Sequence, residues 1–322
     1  MQTLRERLEA HQVVIYFVTV VMAAVMASAI TGLESLDAAI NPALAFMLFV
    51  TFLQVPLADL GRAFTRLRFL GALLTANFLA IPLLAAALLQ CLPAGPLIRF
   101  GFLLVLLTPC IDYVVTFSQI GRADSRLLLA ATPVLLIFQM LLLPVYLSVF
   151  LGSHAQALID IGPFVHAFVW LIAVPLVLAG VMQITARYTQ AGQRIADGLG
   201  LCPVPATALV LFIVVGAVVP QLHAAIGAAA RVLPLYIVFA CVAPLLGWLV
   251  SGWFGLEASA RRAVAFSTST RNSLVVLPLG LAVPGAIPIL PAIIATQTLV
   301  ELLSELVYMR VMPKLCGQEN KV

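Results

Sequence analysis

The sequence predicts an all-α polytopic membrane protein, and three observations support that prediction. The 322 residues are 63% hydrophobic and only 9% charged, which is typical of a chain that resides in a bilayer. Apolar runs of about 18 residues or more recur along the chain, and each is long enough for a transmembrane helix. One of these runs, residues 262–284, carries seven consecutive polar side chains at 267–273. Polar groups at membrane depth indicate a protein-lined cavity or a binding site.

Ten segments fit transmembrane helices, and the connections between them are short. The predicted spans cover residues 13–31, 38–58, 69–91, 98–120, 126–150, 163–185, 204–222, 231–253, 262–284 and 289–312. The first span has the small-residue end of a signal peptide, but its apolar run is too long for one. Because the connections leave no room for a soluble domain, residues 1–322 are predicted to form a single integral membrane domain.

The distribution of Lys and Arg predicts the orientation in the bilayer. With the N-terminus inside, 14 of the 17 basic residues lie on the inner side, only Arg99 and Arg231 lie outside, and Arg271 lies within the membrane. Both termini are therefore predicted to be cytoplasmic. The expected location is the plasma membrane, or the inner membrane if the source is bacterial.

The two halves of the chain are similar at an offset of roughly 163 residues. Span two runs from Pro42 to Pro56 with much the same pattern as span seven from Pro205 to Pro220. The first repeat is predicted at 1–155 (spans 1–5) and the second at 156–322 (spans 6–10). Because five spans is an odd number, the copies must be antiparallel in the membrane, which is an inverted-repeat architecture.

The polar run of span nine predicts a helix that is interrupted within the membrane. Ser, Thr and Asn side chains compete for backbone hydrogen bonds, and irregular backbone is tolerated at membrane depth where it lines a cavity. A polar kink buried only for packing is the alternative. The repeat offset carries Asn272 onto Pro109, which is followed by Cys110 and Asp112 in the middle of span four. Since an internal proline breaks a helix, both halves are predicted to break at matching positions.

The candidate substrate-binding residues lie at these two breaks. They are Cys110, Asp112, Tyr113 and Thr116 in span four, and Ser269, Thr270, Arg271, Asn272 and Ser273 in span nine. Asp112 and Arg271 are expected to form a pair, either as a structural salt bridge or as a gate that carries a proton. The thiol of Cys110 is either an inert packing group or a soft ligand for a thiophilic solute.

Candidate ion-coupling residues lie at the breaks and on the neighbouring spans. They are Asp112, Gln139, Ser267, Thr268, Gln297 and Glu301. Gln297, Glu301 and Glu305 are spaced i, i+4, i+8, so they share one face of span ten. Glu301 is suited to a proton or cation role, whereas Glu305 is assigned to the interface. The isolated polar residues, which are Asn41, Gln54, Asn77 and Gln183, are expected to form interhelical hydrogen bonds.

Other classes of function lack their motifs. The five cysteines are scattered without a C-x-x-C, so neither disulfides nor a metal site are expected. No hydrolase or metalloprotease signature is present, and an enzyme is not expected. A sensor that does not transport would need an output domain, and the short connections between the predicted spans contain none. No cofactor is implied, and nucleic-acid binding is not expected. The expected partners are the lipid bilayer, a small anion or oxyacid and a coupling ion, and association into a homo-oligomer is left open.

The sequence resembles the bile acid:sodium symporter superfamily, which includes the arsenical-resistance permeases. The resemblance lies in R-A-V-A-F-S-T-S-T-R-N-S-L-V-V-L-P of span nine, in T-Q-T-L-V-E-L-L of span ten and in T-P-C of span four. It implies a panel domain of spans 1, 2, 6 and 7. It also implies a core domain of spans 3–5 and 8–10, in which the broken spans 4 and 9 cross.

The expected function follows from two differences between this sequence and the sequence pattern of the sodium-coupled members. Those members resemble one another in acid-x-x-x-Gln-Asn-Ser at the ninth-span break, where the acid and the Gln bind sodium. This chain has Ser267 in place of the acid and Arg271 in place of the Gln. The Pro109–Cys110 pair resembles the arsenical permeases. The expected function is a proton-coupled exporter of arsenite or a similar small oxyacid, and the alternative is sodium-coupled uptake of an organic anion.

Overall fold

The computed structural model is predominantly helical in the part of the chain that it describes. These residues are 2–30, 36–54, 66–93, 95–110, 113–152, 166, 169–218, 222–281, 283, 285–286 and 288–315. Within them the backbone forms α-helices and two short π-helical segments, and the one β-type contact is an isolated bridge. The predicted all-α class is therefore confirmed.

The α-helices are numbered here in chain order. They are α1 Gln2–Ala29, α2 Asp37–Gln54, α3 Leu67–Thr75, α4 Ile81–Leu89, α5 Pro96–Leu106, α6 Tyr113–Ile120, α7 Ser125–Leu151, α8 Val174–Tyr188, α9 Gln190–Leu199, α10 Pro203–Val218, α11 Leu222–Trp253, α12 Ala258–Ser269, α13 Ser273–Leu281 and α14 Ile289–Leu315. The π-helical segments are Ala76–Ala80, between α3 and α4, and Val169–Ala173, which leads into α8.

Four helical stretches are long and apolar enough to cross a membrane by themselves. They are Leu67–Leu89, Ser125–Leu151, Ala225–Trp253 and Ile289–Lys314. Two bent pairs, Leu4–Gln12 with Val14–Ala29 and Gln190–Leu199 with Pro203–Ala217, raise the number to six if each pair is one span. Predicted spans four and nine are each divided into two helices, and neither half is long enough alone. A multi-pass membrane protein is therefore confirmed, while the number of ten spans stays a prediction.

The chain divides into two compact units. The first consists of Met1–Val55, Ile159–Ala228 and Leu277–Ala295. Within it α10 packs against α1 and α2, and α2 packs against α8. The side-chain amide of Gln183 donates to the carbonyl oxygens of Phe52 and Leu53, at 3.2 and 3.1 Å. The prediction that Gln183 forms an interhelical hydrogen bond is confirmed.

The second unit consists of Pro56–Leu158, Ala229–Val276 and Thr296–Val322. Its central element is α12, which packs against α3, α6, α7 and the π-helical segment Ala76–Ala80. A central position requires small or apolar side chains on every side, and α12 is buried from Ala263 to Ser269. The run of small residues A-V-A-F-S-T-S makes this close packing feasible.

Two tyrosines bond to carbonyl oxygens that a proline has left without their usual helical donor. Pro82 has no N–H to offer the carbonyl of Phe78 four residues earlier, and the Tyr146 hydroxyl donates to that oxygen. In the same way Pro244 cannot donate to Ala240, whose carbonyl accepts the hydroxyl proton of Tyr308. These bonds satisfy buried acceptors that would otherwise destabilise the interior.

Three local differences from the predicted spans concern where helices begin, and the sequence accounts for the first two. Helix α1 begins at Gln2, eleven residues before the predicted span, because the charged N-terminal arm continues the helix. The connection after span six contains the amphipathic helix α9, whose N-terminus is capped by the Thr189 hydroxyl, 3.0 Å from the amide of Gly192. Helix α11 begins at Leu222, nine residues before the predicted start at 231.

A glycine in α11 allows α12 to approach closely. A Cβ at Gly247 would lie 2.2 Å from Thr268 Oγ1 and 3.0 Å from Ala265 Cα. We expect Gly247→Ala to lower the free energy of unfolding by about 1–3 kcal/mol because of this overlap. A Cβ at Gly227, on the same helix, would have no neighbouring atom within 4 Å, so Gly227→Ala is expected to be neutral or slightly stabilising. Thermal unfolding in detergent compares the two variants, and equal midpoints would contradict the prediction.

Candidate functional site

The second unit contains two helix breaks that meet through their backbones. Helix α12 ends at Ser269, α13 begins at Ser273, and the intervening Thr270 is extended with φ −102° and ψ 126°. The Cys110 amide donates to the Thr270 carbonyl at 3.0 Å, and the Asn272 amide donates to the Thr108 carbonyl at 2.8 Å. These two bonds form an antiparallel bridge between Pro109 and Arg271. The predicted break in residues 262–284 is thus present, and it is paired with the break after α5.

The sequence accounts for where the first interruption occurs. Pro109 disfavours the helical conformation of the residue before it and cannot donate a helical hydrogen bond. Helix α5 accordingly ends at Leu106, and the Thr108 hydroxyl turns back onto the carbonyls of Leu104 and Val105 at 3.1 and 2.9 Å. The freed Thr108 carbonyl then becomes an acceptor for the second break.

The guanidinium of Arg271 is completely buried and bonds to oxygen atoms of the protein. Its side chain is 0% exposed. One terminal nitrogen lies 3.2 Å from the Leu106 carbonyl oxygen. The other lies 2.8 Å from Asn77 Oδ1, 2.6 Å from the Ser267 carbonyl and 2.8 Å from the Thr268 carbonyl. The charge is thereby held between the C-terminal ends of α5 and α12, where the helix dipole favours a cation.

One face of α14 contacts the break in span nine. The i, i+4, i+8 spacing predicts that Gln297, Glu301 and Glu305 share a face, and each of them bonds to a residue between 270 and 273. The Ser273 hydroxyl donates to Gln297 Oε1, and the Gln297 amide donates to Glu301 Oε2. The same carboxylate oxygen of Glu301 accepts the backbone N–H of Arg271 at 2.7 Å. The break is thus held by side chains of α14 at successive turns.

Glu305 is part of this contact, which corrects its assignment to the interface. It is 0% exposed, and its Oε1 accepts the Thr270 hydroxyl at 2.6 Å. The reason is positional, because the third residue of the α14 face lies directly against the end of α12. Glu305 Oε2 has no hydrogen-bond partner among the described residues.

The hydroxyl groups at the end of α12 are occupied by bonds within the protein. Thr268 and Ser269 donate to carbonyl oxygens of the preceding turn, including that of Ala265, which is 2.9 Å from each hydroxyl. Ser267 Oγ accepts the side-chain amide of Asn77 at 3.0 Å. The predicted ion-coupling residues Ser267 and Thr268 are therefore buried and hydrogen-bonded here.

The remaining predicted residues differ in where they lie. Cys110 is 0% exposed on the antiparallel bridge. Gln139 is buried in α7, and its Oε1 has no partner in the described part of the chain. Asp112 lies outside the described residues, as do the side chains of Tyr113 and Thr116. The predicted Asp112–Arg271 pair therefore stays a prediction.

Asn77 is the member of the site that the sequence did not single out. Its prediction as an interhelical hydrogen-bonding residue is confirmed, but its partners are Arg271 and Ser267 at the second break. The available signal was Pro82, since a proline following an in-membrane Asn marks a distorted helix. Asn77 lies in the π-helical segment Ala76–Ala80, and such segments often occur at functional sites.

Residues suited to a metal ion do not cluster in the described part of the chain. No group of three or more His, Cys, Asp or Glu side chains is placed to hold one there. The oxygen atoms that converge in the site belong mainly to the backbone, to amides and to the two glutamates.

Comparison with known families identifies the class of protein. The family model described as the sodium bile acid symporter family matches residues 41–225, which is more than half of the chain. The chain belongs to this family. No curated protein matches the chain.

Membership of the sodium bile acid symporter family establishes that the protein is a membrane transporter. This agrees with the apolar helices and with the expectation that the chain is not an enzyme. The residues that the family model matches include the break at Pro109, whereas Arg271 and the carboxyl groups of α14 lie beyond them.

Proposed function

We propose that the protein is a secondary active transporter that exports arsenite, or a similar small oxyacid, in exchange for protons. The observation that carries this proposal is the buried network at the second break, where Arg271 supplies a fixed positive charge and Glu301 and Glu305 supply two carboxyl groups. A built-in cation removes the need for a bound sodium ion at that position, and buried carboxyl groups are suited to carry protons.

We further propose ten transmembrane helices arranged as inverted repeats at 1–155 and 156–322, with both termini cytoplasmic. Support comes from hydrogen bonds that recur in both halves. Tyr146 bonds to Phe78 and Tyr308 bonds to Ala240, and each residue of the second pair lies 162 positions after its counterpart. The bridge between Pro109 and Arg271 also joins positions 162 apart.

The two compact units support a division into a panel and a core. The first unit contains predicted spans 1, 6 and 7 and span 2 as far as Val55, together with the end of span 9 from Leu277 and the start of span 10 as far as Ala295. The second contains spans 3–5 and 8, span 9 as far as Val276 and span 10 from Thr296. This grouping follows the one that the resemblance implies except at spans 9 and 10, and it places both breaks in the second unit.

The geometry around Thr270 favours Glu305 as a proton carrier, in addition to Asp112 and Glu301. The Thr270 hydroxyl lies 2.6 Å from Glu305 Oε1 and 2.7 Å from the Phe266 carbonyl. When the carboxyl is ionised the hydroxyl donates to it. When the carboxyl is protonated it donates to the hydroxyl, whose own proton turns to Phe266. Both states are hydrogen-bonded, so a proton can be exchanged without leaving a buried group unpaired.

Cys110 is the proposed ligand for the substrate, because a thiolate is a soft ligand suited to a thiophilic solute such as trivalent arsenic. The thiol is fully buried at the bridge between the broken helices. Substrate access therefore requires the protein to open around this position. Arg271 would then act by holding the two breaks together, since its guanidinium is already bonded to four oxygen atoms of the protein.

Flux in proteoliposomes tests the proposed function. Purified protein is reconstituted, and arsenite, antimonite and several organic anions are each supplied under separately imposed proton and sodium gradients. We expect arsenite to move in response to the proton gradient without sodium. Sodium-dependent uptake of an organic anion, with no arsenite movement, would contradict the proposal.

Replacing the Cys110 thiol tests substrate binding separately from proton coupling. Cys110→Ala is expected to lower arsenite flux roughly tenfold or more, since no other soft ligand lies on the bridge. Cys241 is an exposed cysteine of α11, so Cys241→Ala should leave flux unchanged and serves as the control. Arsenite flux that survives Cys110→Ala would remove the thiol from the proposal.

Sodium-coupled uptake of an organic anion is the second candidate, and the description of the family favours it. In that case Arg271 would hold a carboxylate of the substrate, and another group would bind sodium. The bonds of the Arg271 guanidinium to four oxygen atoms of the protein argue against this use of the side chain.

A further inference from the structure

Four oxygen atoms from three separate parts of the chain converge on the Arg271 guanidinium. They are the carbonyl oxygens of Leu106, Ser267 and Thr268 and the side-chain oxygen of Asn77, at 2.6–3.2 Å from the terminal nitrogens. The ring of Phe239 lies on another side, with its centroid 5.7 Å from the guanidinium carbon. All of these neutral groups present partial negative charge to the guanidinium, and Arg271 is closed to solvent.

The same groups would suit a free cation. The three carbonyls belong to the last turns of α5 and α12, and the C-terminal end of a helix carries a partial negative charge. Backbone carbonyls at the ends of interrupted helices are the ligands that membrane transporters use for small monovalent cations. In this chain a tethered guanidinium occupies the position instead.

We propose that Arg271 is the permanently bound cation of a small-cation site at the crossing of the interrupted helices. Its charge makes the site independent of any free ion. Shortening the side chain leaves desolvated oxygen atoms that recruit a free monovalent cation, either sodium or guanidinium. The proposal concerns the occupant of this site and rests on the sodium-independent coupling proposed above. Sodium binding elsewhere would appear as a saturable effect on the unchanged protein, whereas failure of this proposal alone would appear as the absence of a cation effect on the shortened variants.

The backbone contacts of residue 271 explain why a shortened variant should still fold. The amide of residue 271 donates to Glu301 Oε2, and the flanking Asn272 amide donates to the Thr108 carbonyl. Neither bond requires the arginine side chain. Removing the side chain therefore empties the site while the bridge that forms it is kept.

Thermal unfolding of the purified protein in detergent tests the proposal. The midpoint is measured for the unchanged protein, Arg271→Ala and Arg271→Gln, in choline chloride and in increasing sodium chloride or millimolar guanidinium chloride. We expect both variants to unfold at a lower temperature in choline chloride. Their midpoints should rise saturably, by roughly 5 °C or more, when sodium or guanidinium is added. The unchanged protein should show no saturable rise.

A matched control uses an arginine that also bonds to carbonyl oxygens but remains partly exposed. Arg99 donates to the carbonyls of Pro93 and Leu92, both at 3.1 Å. In Arg99→Ala water can solvate these carbonyls, so no saturable cation effect is expected.

Three results would overturn the proposal. The first is a saturable sodium effect on the unchanged protein. The second is the absence of any cation effect on a folded Arg271→Ala or Arg271→Gln. The third concerns Arg271→Lys, which keeps a tethered charge and provides the decisive measurement if neither of the other variants folds. We expect Arg271→Lys to fold and to be insensitive to sodium. A failure to fold, or a saturable response to sodium, would show that a tethered charge is not what fills the site.

Discussion

Replacing Glu305 by glutamine is expected to lower proton-driven flux by roughly tenfold or more while the protein remains folded. Glutamine has nearly the shape of glutamate, and its side-chain oxygen can still accept the Thr270 hydroxyl, which is 2.6 Å away in the unchanged protein. The amide cannot take up or release a proton in the working pH range. The expected loss is therefore a loss of coupling rather than of structure.

The measurement for Glu305 is flux in proteoliposomes under an imposed pH difference, together with the thermal midpoint in detergent. Glu257 is an exposed residue at the N-terminus of α12, and its side chain caps no backbone amide. Glu257→Gln removes the same charge away from the site and should leave flux unchanged. Full proton-driven flux in Glu305→Gln would exclude Glu305 as a carrier and leave Glu301 and Asp112.

Replacing Asn77 by leucine is expected to be strongly destabilising. Asn77 Oδ1 accepts from the buried Arg271 guanidinium at 2.8 Å, and its amide donates to Ser267 Oγ at 3.0 Å. Leucine fills a similar volume but offers neither group. Because the lost acceptor serves a buried charge, we expect the free energy of unfolding to fall by about 3 kcal/mol, and the thermal midpoint to fall by roughly 6 °C or more.

Asn41 provides the comparison for Asn77, since it is exposed on α2. Asn41→Ala should change the midpoint by no more than about 1–2 °C, as is usual for surface substitutions. A midpoint of Asn77→Leu within that range would mean that water replaces the lost acceptor and that the guanidinium is not sealed from solvent.

The sequence was sufficient to locate the break in residues 262–284, because whether a segment forms a helix depends largely on its own residues. A run of Ser, Thr and Asn weakens the helix that contains it, and the i, i+4 spacing of α14 fixes which side chains share a face. The proposed internal repeat extended this reasoning to Pro109. The offset from the proline patterns was roughly 163 residues, whereas the backbone bridge joins positions 162 apart. The difference shifts the counterpart of Pro109 from Asn272 to Arg271.

The partners of Arg271 and Glu305 could not be predicted, because they depend on contacts between distant segments. Asn77 and Arg271 are 194 positions apart, and Glu305 and Thr270 are 35 apart. An intramembrane arginine predicts that some partner exists, but an acidic residue such as Asp112 is the obvious candidate in a sequence. Carbonyl oxygens at helix ends are present in every chain, so no residue type marks them as the partners of a charge.

The bridge between the broken helices consists of two hydrogen bonds that only main-chain atoms make. The amides of Cys110 and Asn272 and the carbonyls of Thr270 and Thr108 would be present with other side chains at these positions. Side chains at these four positions can therefore change while both hydrogen bonds are kept. The proposed function predicts from this that substituting a few of these side chains would alter the cargo or the coupling ion and leave the crossing intact.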